Sequence, residues 1–338
     1  MEIAKVSCLQ SKTLGLKEPK QQQPTLGRCL KRRWMMSKRL GRLRRLPEME
    51  VLFPKTLGEA LSLLKKYSGA AKAIAGGTDL IPKMKRREIA PKYLIDLKGV
   101  ADLNFVNYEF ENGLRIGSLT TLNEIRDSSA VKEHCPILVE TVSQMASVQV
   151  RNMATMAGNL CNAVPSADTA PPLIALGATL KLLGPEGERT VLLEDFFKGP
   201  GETALEPLEL LAEIQIPPAL PGEAGTYLKH TLRAEMDLAL VGVAAYLARN
   251  SKKDICEEIR IAMGAVAPIP VRARKAEEAL RGKPISDTLI ETAGSLASEE
   301  SSPIDDIRSS AEYRREMVRV LTKKAIKQSW ERAKAASG

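Results

Sequence analysis

A chain of 338 residues with 44% hydrophobic side chains is long enough for two or three domains with real cores. Aromatic residues make up only 4%, too few for a surface that stacks single-stranded nucleic acid, and no apolar run reaches the ~20 residues of a membrane span. The net charge of +9 is uneven: residues 1–45 carry 13 Lys and Arg against Glu2 and Glu18, which leaves the remainder close to neutral.

The tail, with QQQP, KRRW and KRLGRLRR, has no apolar segment after its early charges and does not read as a secretory signal. It reads as a disordered extension, with Met35, Met36 and Met49 as alternative starts. A basic arm for RNA, DNA or anionic lipid and a targeting peptide compete with that reading. From about Leu46 the pattern becomes globular. Thr56 and Glu59 form a T-x-x-E capping box, and Leu57, Leu61 and Leu64 recur at helical spacing to about Tyr67. Ala71–Ala75 predicts a short buried strand ending in Gly76-Gly77, and Tyr93–Leu97 predicts the next. These make a small βαβ-like unit with a glycine turn at the mouth of a strand. Leu114–Gly117 predicts a strand, Thr121–Glu124 a helix start and Ile137–Val148 a helix. Strands follow over Ala175–Leu183, Thr190–Leu193 and Leu208–Ile216. The Pro/Gly cluster at Pro217–Gly225 marks a domain boundary. Beyond it come strands near Thr226–Lys229, Leu238–Ala248 and Ile259–Val266. Helices over Val271–Arg281, Ile285–Ser298 and Ala311–Ala335 end the chain, the last with a stripe of Met317, Val320, Leu321 and Ile326.

Cys8, Cys29, Cys135, Cys161 and Cys256 include no C-x-x-C pair, and His134 and His230 are the only histidines. That spacing suits neither a disulfide framework nor a zinc or iron–sulfur site held by this chain alone. It points to reduced thiols in a cytoplasmic protein. Cys161 reads as a small buried hydrophobe, and Met145, Met153 and Met156 as core filler. The two histidines lack the acid partners of a catalytic base. Lys83, Lys85, Arg86 and Arg87 read as a solvated face, with neutralisation of cofactor phosphates or an acidic partner as the alternative.

Two stretches stand out. AIAGGTDL at Ala73–Leu80 removes side chains where a strand ends, which lets backbone amides approach a ligand and permits positive φ. TMAGN at Thr155–Asn159 again sets small residues beside a hydroxyl and an amide, and Asp168 follows in a Pro-flanked loop, suited to a sugar hydroxyl or else capping the turn before Pro171. Neither stretch is G-x-G-x-x-G or a Walker loop. Two separated backbone cradles suit an extended diphosphate with a sugar at each end, such as a dinucleotide. A purely structural turn after a buried strand is the competing account of the first.

AGGTDL at Ala75–Leu80, Q-V-R-N-x-A-T-x-x-G-N-L at Gln149–Leu160 and R-A-E-M-D-L-A at Arg233–Ala239 resemble the FAD-binding medium subunits of molybdenum hydroxylases. That family includes carbon monoxide dehydrogenase, xanthine dehydrogenase and aldehyde oxidoreductase. AMGAVAPIPVRARKAEEAL (Ala262–Leu280) resembles the family's C-terminal domain, and the resemblance runs from about Leu46 to Ala335. It implies an α+β, vanillyl-alcohol-oxidase-like (PCMH-type) FAD-binding fold in two subdomains, residues 46–107 and 108–220. A C-terminal domain, residues 221–338, would carry a small antiparallel sheet and helices. It also implies that Ala73, Ile74, Ala75, Gly76, Gly77, Thr78, Asp79 and Leu80 form a first cofactor loop. Thr155, Met156, Ala157, Gly158 and Asn159 would form a second. By the same resemblance Gly117 sits at a third turn close to FAD, Ala146 touches the flavin, Asp168 is an acid near the cofactor and Lys229 lies near the ring system. The family's second loop usually reads T-x-G-G-N. Ala157 adds a methyl there, at a cost of ~1 kcal/mol or more if its φ must be positive.

The implied function is that of an FAD-dependent electron-transfer subunit. A small [2Fe-2S] subunit and a large molybdopterin subunit would be its partners, and NAD or another acceptor would take the electrons. No DNA is expected on the folded body. A stand-alone FAD oxidoreductase of the same fold is one alternative. A non-catalytic, basic-tailed RNA- or membrane-associated protein that has lost flavin binding is the other.

Overall fold

The computed structural model of the protein describes residues 46–219, 222–233 and 236–336. The expectation for the basic tail of residues 1–45 lies outside them.

The first layer is a three-stranded parallel sheet. Its elements are β1 (Glu50–Leu52), α1 (Leu57–Lys66), β2 (Ala71–Ile74), α2 (Leu80–Lys85) and β3 (Tyr93–Asp96), with strand order β1-β3-β2. Thr56 caps α1, its hydroxyl accepting from the Glu59 amide at 3.2 Å. The Glu59 carboxylate reaches back one residue further than a closed capping box requires, to the Lys55 amide at 2.7 Å. Ala60 and Leu64 of α1 pack on Ile95 and Leu97, which is why the helix lies against this sheet.

The middle part runs through β4 (Val106–Glu109), β5 (Gly113–Gly117), α3 (Leu122–Asp127), α4 (Ser129–His134), α5 (Pro136–Ser143), α6 (Val148–Arg151), α7 (Met156–Asn162) and α8 (Ala170–Ala175). It continues with β6 (Thr179–Gly184), β7 (Gly187–Leu192), α9 (Leu193–Phe196), β8 (Phe197–Gly199), β9 (Glu202–Thr203) and β10 (Leu210–Ile216). Its five-stranded sheet has the order β4-β5-β10-β6-β7, with antiparallel neighbours throughout. Two expectations change here. Ile137–Val148 is not one helix: α5 stops at Ser143, Ala146 takes a left-handed φ of 46°, and α6 restarts at Val148. Ala175 belongs to α8 and not to a strand, because Pro171 and Pro172 fit the first turn of a helix and the next strand begins only at Thr179. Thr121 and Glu124, by contrast, close a full capping box on α3.

The last part is a four-stranded antiparallel sheet of β11 (Glu223–His230), β12 (Val241–Asn250), β13 (Ile255–Gly264) and β14 (Val271–Arg272). It carries α10 (Arg274–Leu280), α11 (Asp287–Glu300) and α12 (Ala311–Ala336). Val271-Arg272 pairs with Ala262-Met263, so the helix expected from Val271 starts at Arg274. This sheet is buried on both faces. Val243, Ala245, Ile261 and Met263 face the helices, while the alternating Ala244 and Ala262 join the core of the middle part. Along α12 the buried face is Val318, Leu321, Ala325, Ile326 and Trp330, and Val320 of the expected stripe is exposed. Among the described residues no helix is long and apolar enough to cross a membrane.

Glu213 sits in the central strand β10 with a nearly buried side chain. It accepts from Arg115 at 2.5 and 2.8 Å and from Gln215 at 2.9 Å. Burial opposes its ionisation, but the bonds from Arg115 and Gln215 outweigh that and hold its carboxyl below the usual range. A carboxyl with a depressed folded pKa stabilises the protein above its unfolded value, ~4.3, and that stabilisation is lost as pH falls through the folded value. Glu213→Gln is therefore expected to flatten the acid limb of the stability profile, measured by urea unfolding between about pH 5 and about pH 3.

Candidate functional site

β2 ends at Ile74 and the chain turns through Gly76 and Gly77 into α2. A side chain on Gly76 would strike protein and not a ligand: its Cβ would stand 1.8 Å from the Met153 carbonyl oxygen and 3.0 Å from Ala154 Cα. The first stretch is thus pressed against the backbone just ahead of the second. Gly77 is required for a different reason, a φ of 72°. Lys83 on α2 donates to Asn162 Oδ1 at 2.6 Å, a second tie between the stretches. Ala73 and residues 75–78 are only half-buried, and Asp79 is exposed. Neither Thr78 nor Asp79 has a side-chain hydrogen bond among the described residues.

Thr155 caps α7, its hydroxyl accepting from the Gly158 amide at 2.9 Å. A Cβ on Gly158 would lie 2.9 Å from that hydroxyl, so glycine keeps the cap close. Ala157 stands in the first turn of this right-handed helix and is only 4% exposed, so its methyl packs without left-handed strain. Met156 is fully buried, as core filler should be, whereas Met153 is 48% exposed because its backbone, and not its side chain, faces the first stretch. Asn159 Oδ1 accepts from Thr169 at 2.7 Å and links α7 to the loop carrying Asp168.

The turn after β5 comes to the same place. Gly117 is buried, and a Cβ there would meet the Leu103 carbonyl oxygen at 2.3 Å, so again the close neighbour is protein. Four residues on, Thr121 bridges Thr155, and the Leu122 amide donates to the Ala154 carbonyl at 2.9 Å.

Asp168 and Lys229, 61 residues apart, form a buried ion pair with Oδ2 to Nζ at 2.8 Å. Their side chains are 9% and 5% exposed. Tyr227 donates to Asp168 Oδ1 at 2.9 Å, so each carboxylate oxygen has one donor. Tyr227 was missed by the sequence reading. The signal was its spacing of two from Lys229 on one strand, which turns both side chains to one face. Burial raises the Asp168 carboxyl, and the Lys229 charge and the two hydrogen bonds oppose that rise. Burial also lifts the Tyr227 phenol well above its ordinary range, with the Asp168 charge adding to it. Lys229 lines a small cavity of about 60 Å³ with Gln144, Thr231, Arg233, Met236 and Asp237. Gln144, two residues before Ala146, thus meets Lys229 and the described Arg233, Met236 and Asp237 of the R-A-E-M-D-L-A segment at this cavity. Ala234 and Glu235 of that segment lie outside the described residues.

The remaining candidates have structural surroundings. His134 stacks on Tyr108 with centroids 3.5 Å apart, and His230 Nε2 lies 3.1 Å from the Tyr313 hydroxyl. Cys161 is only partly buried, packed against the core, and loss of solvation pushes its thiol up to about 12, so it is no thiolate near neutral pH. Lys229→Met would strand the Asp168 carboxylate in the interior, a loss of about 3–5 kcal/mol. With its opposing cation gone, Asp168 has a folded pKa still further above its unfolded value. Its penalty is full above that pKa and shrinks as acid protonates the folded carboxyl first. Urea unfolding at several pH values should show the variant regaining part of the lost stability on acidification.

The family described as "FAD binding domain in molybdopterin dehydrogenase" matches residues 47–219, and "CO dehydrogenase flavoprotein C-terminal domain" matches residues 226–329. The chain is 38% identical over 282 residues to the glyceraldehyde dehydrogenase medium chain of Sulfolobus acidocaldarius, covering 83% of this chain and 98% of the relative. It is 33% identical over 286 residues to the carbon monoxide dehydrogenase medium chain of Hydrogenophaga pseudoflava, covering 85% and 98%. A solved structure of carbon monoxide dehydrogenase from Hydrogenophaga pseudoflava superposes with a TM-score of 0.82 at 34% identity, covering 85% of this chain and 99% of that one. Quinoline 2-oxidoreductase from Pseudomonas putida 86 does so with a TM-score of 0.80 at 30% identity, covering 87% and 100%. The architecture is therefore the α+β, PCMH-type FAD-binding fold followed by a C-terminal flavoprotein domain, and FAD is the cofactor of this chain. The chain belongs to the FAD-binding subunits of the molybdenum hydroxylase family, which are FAD-dependent oxidoreductase subunits of the xanthine and carbon monoxide dehydrogenase type.

Proposed function

We propose that this chain is the electron-transfer subunit of a cytoplasmic molybdenum hydroxylase complex. It would take electrons from a small [2Fe-2S] subunit and pass them to NAD or another acceptor, while a large molybdopterin subunit oxidises the substrate. The observation that carries the reading is the convergence of three turns, those at Gly76-Gly77, Gly117–Thr121 and Thr155–Asn159, on one another. The names of its relatives, which are medium chains and FAD-binding subunits of dehydrogenases, support membership of a complex. The cysteine spacing leads us to assign the iron–sulfur and molybdenum centres to partner chains.

The residues present fit FAD. Thr78 and Asp79 follow the left-handed Gly77 with a hydroxyl and a carboxylate that have no side-chain hydrogen bond among the described residues, in a segment open to solvent. Residues 73–80 and the first turn of α7 would hold the diphosphate through backbone amides. When bound, FAD supplies the redox chemistry, exchanging one or two electrons. Lys229 would set a positive charge beside the ring system, and Asp168 and Tyr227 hold its side chain in place. Asp168, only 8% exposed and bonded to Lys229 and Tyr227, thus acts through Lys229 rather than on a sugar hydroxyl.

Thr78→Val tests this. In the full chain it is expected to weaken FAD binding about tenfold, ~1.4 kcal/mol, while the urea midpoint of the cofactor-free protein stays unchanged. Titration followed by the flavin bands near ~370 and ~450 nm reads the affinity. If Thr78→Val and Asp79→Asn both bind FAD as the wild type does, the first stretch is not the cradle. Purification from the native host, with iron and molybdenum assayed in the co-eluting chains, tests the complex.

A further inference from the structure

We propose that Arg151 is a positioning residue for the cofactor: its buried guanidinium holds the Met145–Ala146 turn in the left-handed form that meets the FAD ring system. This rests on the reading that the Ala146 turn belongs to the cofactor site. Ala146 has a φ of 46°, a region an alanine rarely adopts. Its own side chain is exposed, although Met145 just before it is 6% exposed and packs in the core. Hydrogen bonds hold the peptides of the turn themselves. Arg151 Nη1 donates to the Met145 carbonyl at 2.5 Å and to the Ala146 carbonyl at 3.2 Å. Its Nε donates to Asn123 Oδ1 at 3.2 Å, and the Asn123 amide in turn donates to Asn152 Oδ1 and, at 3.3 Å, to the Val148 carbonyl.

Arg151 is only 7% exposed, and the oxygens it bonds are carbonyl and amide oxygens. Burying a guanidinium without a bonded carboxylate is costly, and a merely apolar filler of similar length would avoid that cost. What the cation provides and a filler does not is a two-pronged grip on consecutive carbonyls that must both face inward. The grip fixes the segment that directly follows Gln144, and Gln144 lines the cavity that Lys229 shares.

The test pairs Arg151→Met with Ala146→Gly in the purified full chain. Arg151→Met is expected to weaken FAD binding about tenfold and to alter the visible circular dichroism of the flavin at saturating FAD. Glycine takes the left-handed form freely, so Arg151→Met with Ala146→Gly is expected to regain affinity to within about threefold of wild type. A structural role alone predicts no rescue, because glycine restores none of the lost bonds. Wild-type affinity in Arg151→Met, or no rescue in the double variant, overturns the proposal. Should Arg151→Met fail to fold, Ala146→Val in the otherwise wild-type chain opposes the same turn. It is then expected to weaken FAD binding and to lower the unfolding midpoint by the strain it adds, and wild-type affinity there overturns the proposal as well. A loss of FAD in Thr78→Val with none in Arg151→Met defeats the clamp alone. No loss in either defeats the reading of the site itself.

Discussion

The site depends on an absence: there is no room for a single methyl group between residue 76 and the Met153 carbonyl. Because that space is missing, the glycine turn after β2 lies directly on the backbone that feeds α7. The Lys83–Asn162 bond then fixes the two helices that follow the stretches. The same device recurs at Gly117, whose missing side chain lets β5 approach the Leu103 carbonyl. Glycine here does its work by packing peptide against peptide. Beside these contacts, residues 75–78 stay half-buried and Asp79 exposed.

Local features were legible in the sequence because local chemistry decides them. Thr121 and Glu124 announce the capping box that starts α3, and the glycine pair announces the end of β2. Asp168 and Lys229 could be named singly by resemblance, yet nothing in the sequence says that they neutralise each other across 61 positions. The break at Ala146 was not legible either. It has no glycine or proline to mark it, and it is held by Arg151 from the next helix, so an apolar periodicity running from Ile137 looked continuous. Met153 misled for a related reason: its type suggests a buried side chain, but it is the carbonyl that is placed. At Gly76 the sequence correctly demanded an intimate neighbour and left open which one.

Electrostatics in the molecule divide by purpose. Arg115 and Glu213 satisfy each other within a sheet, and Arg272 holds Glu277, which also accepts from the Ile261 amide, beneath α10. Arg115, a third exposed, also borders a cavity with Asn112 and Gln215. Lys229 has the more buried side chain, its ammonium tied to a buried carboxylate on one side and bordering a cavity on the other. Such a cation keeps its place without having to be held by whatever occupies that cavity.

The C-terminal sheet, sandwiched with Ala244 and Ala262 on the inner face and the helices on the outer one, has a bearing on protein engineering. Side chains this small leave little tolerance along the seam, so the two halves of the molecule are matched like a lock milled for one key. A chimera that joins the FAD-binding half of one relative to the C-terminal half of another would inherit mismatched volumes on that inner face. Excising the C-terminal half alone would bare Tyr227, Ala244 and Ala262 to water together with Lys229, which would lose its buried partner Asp168.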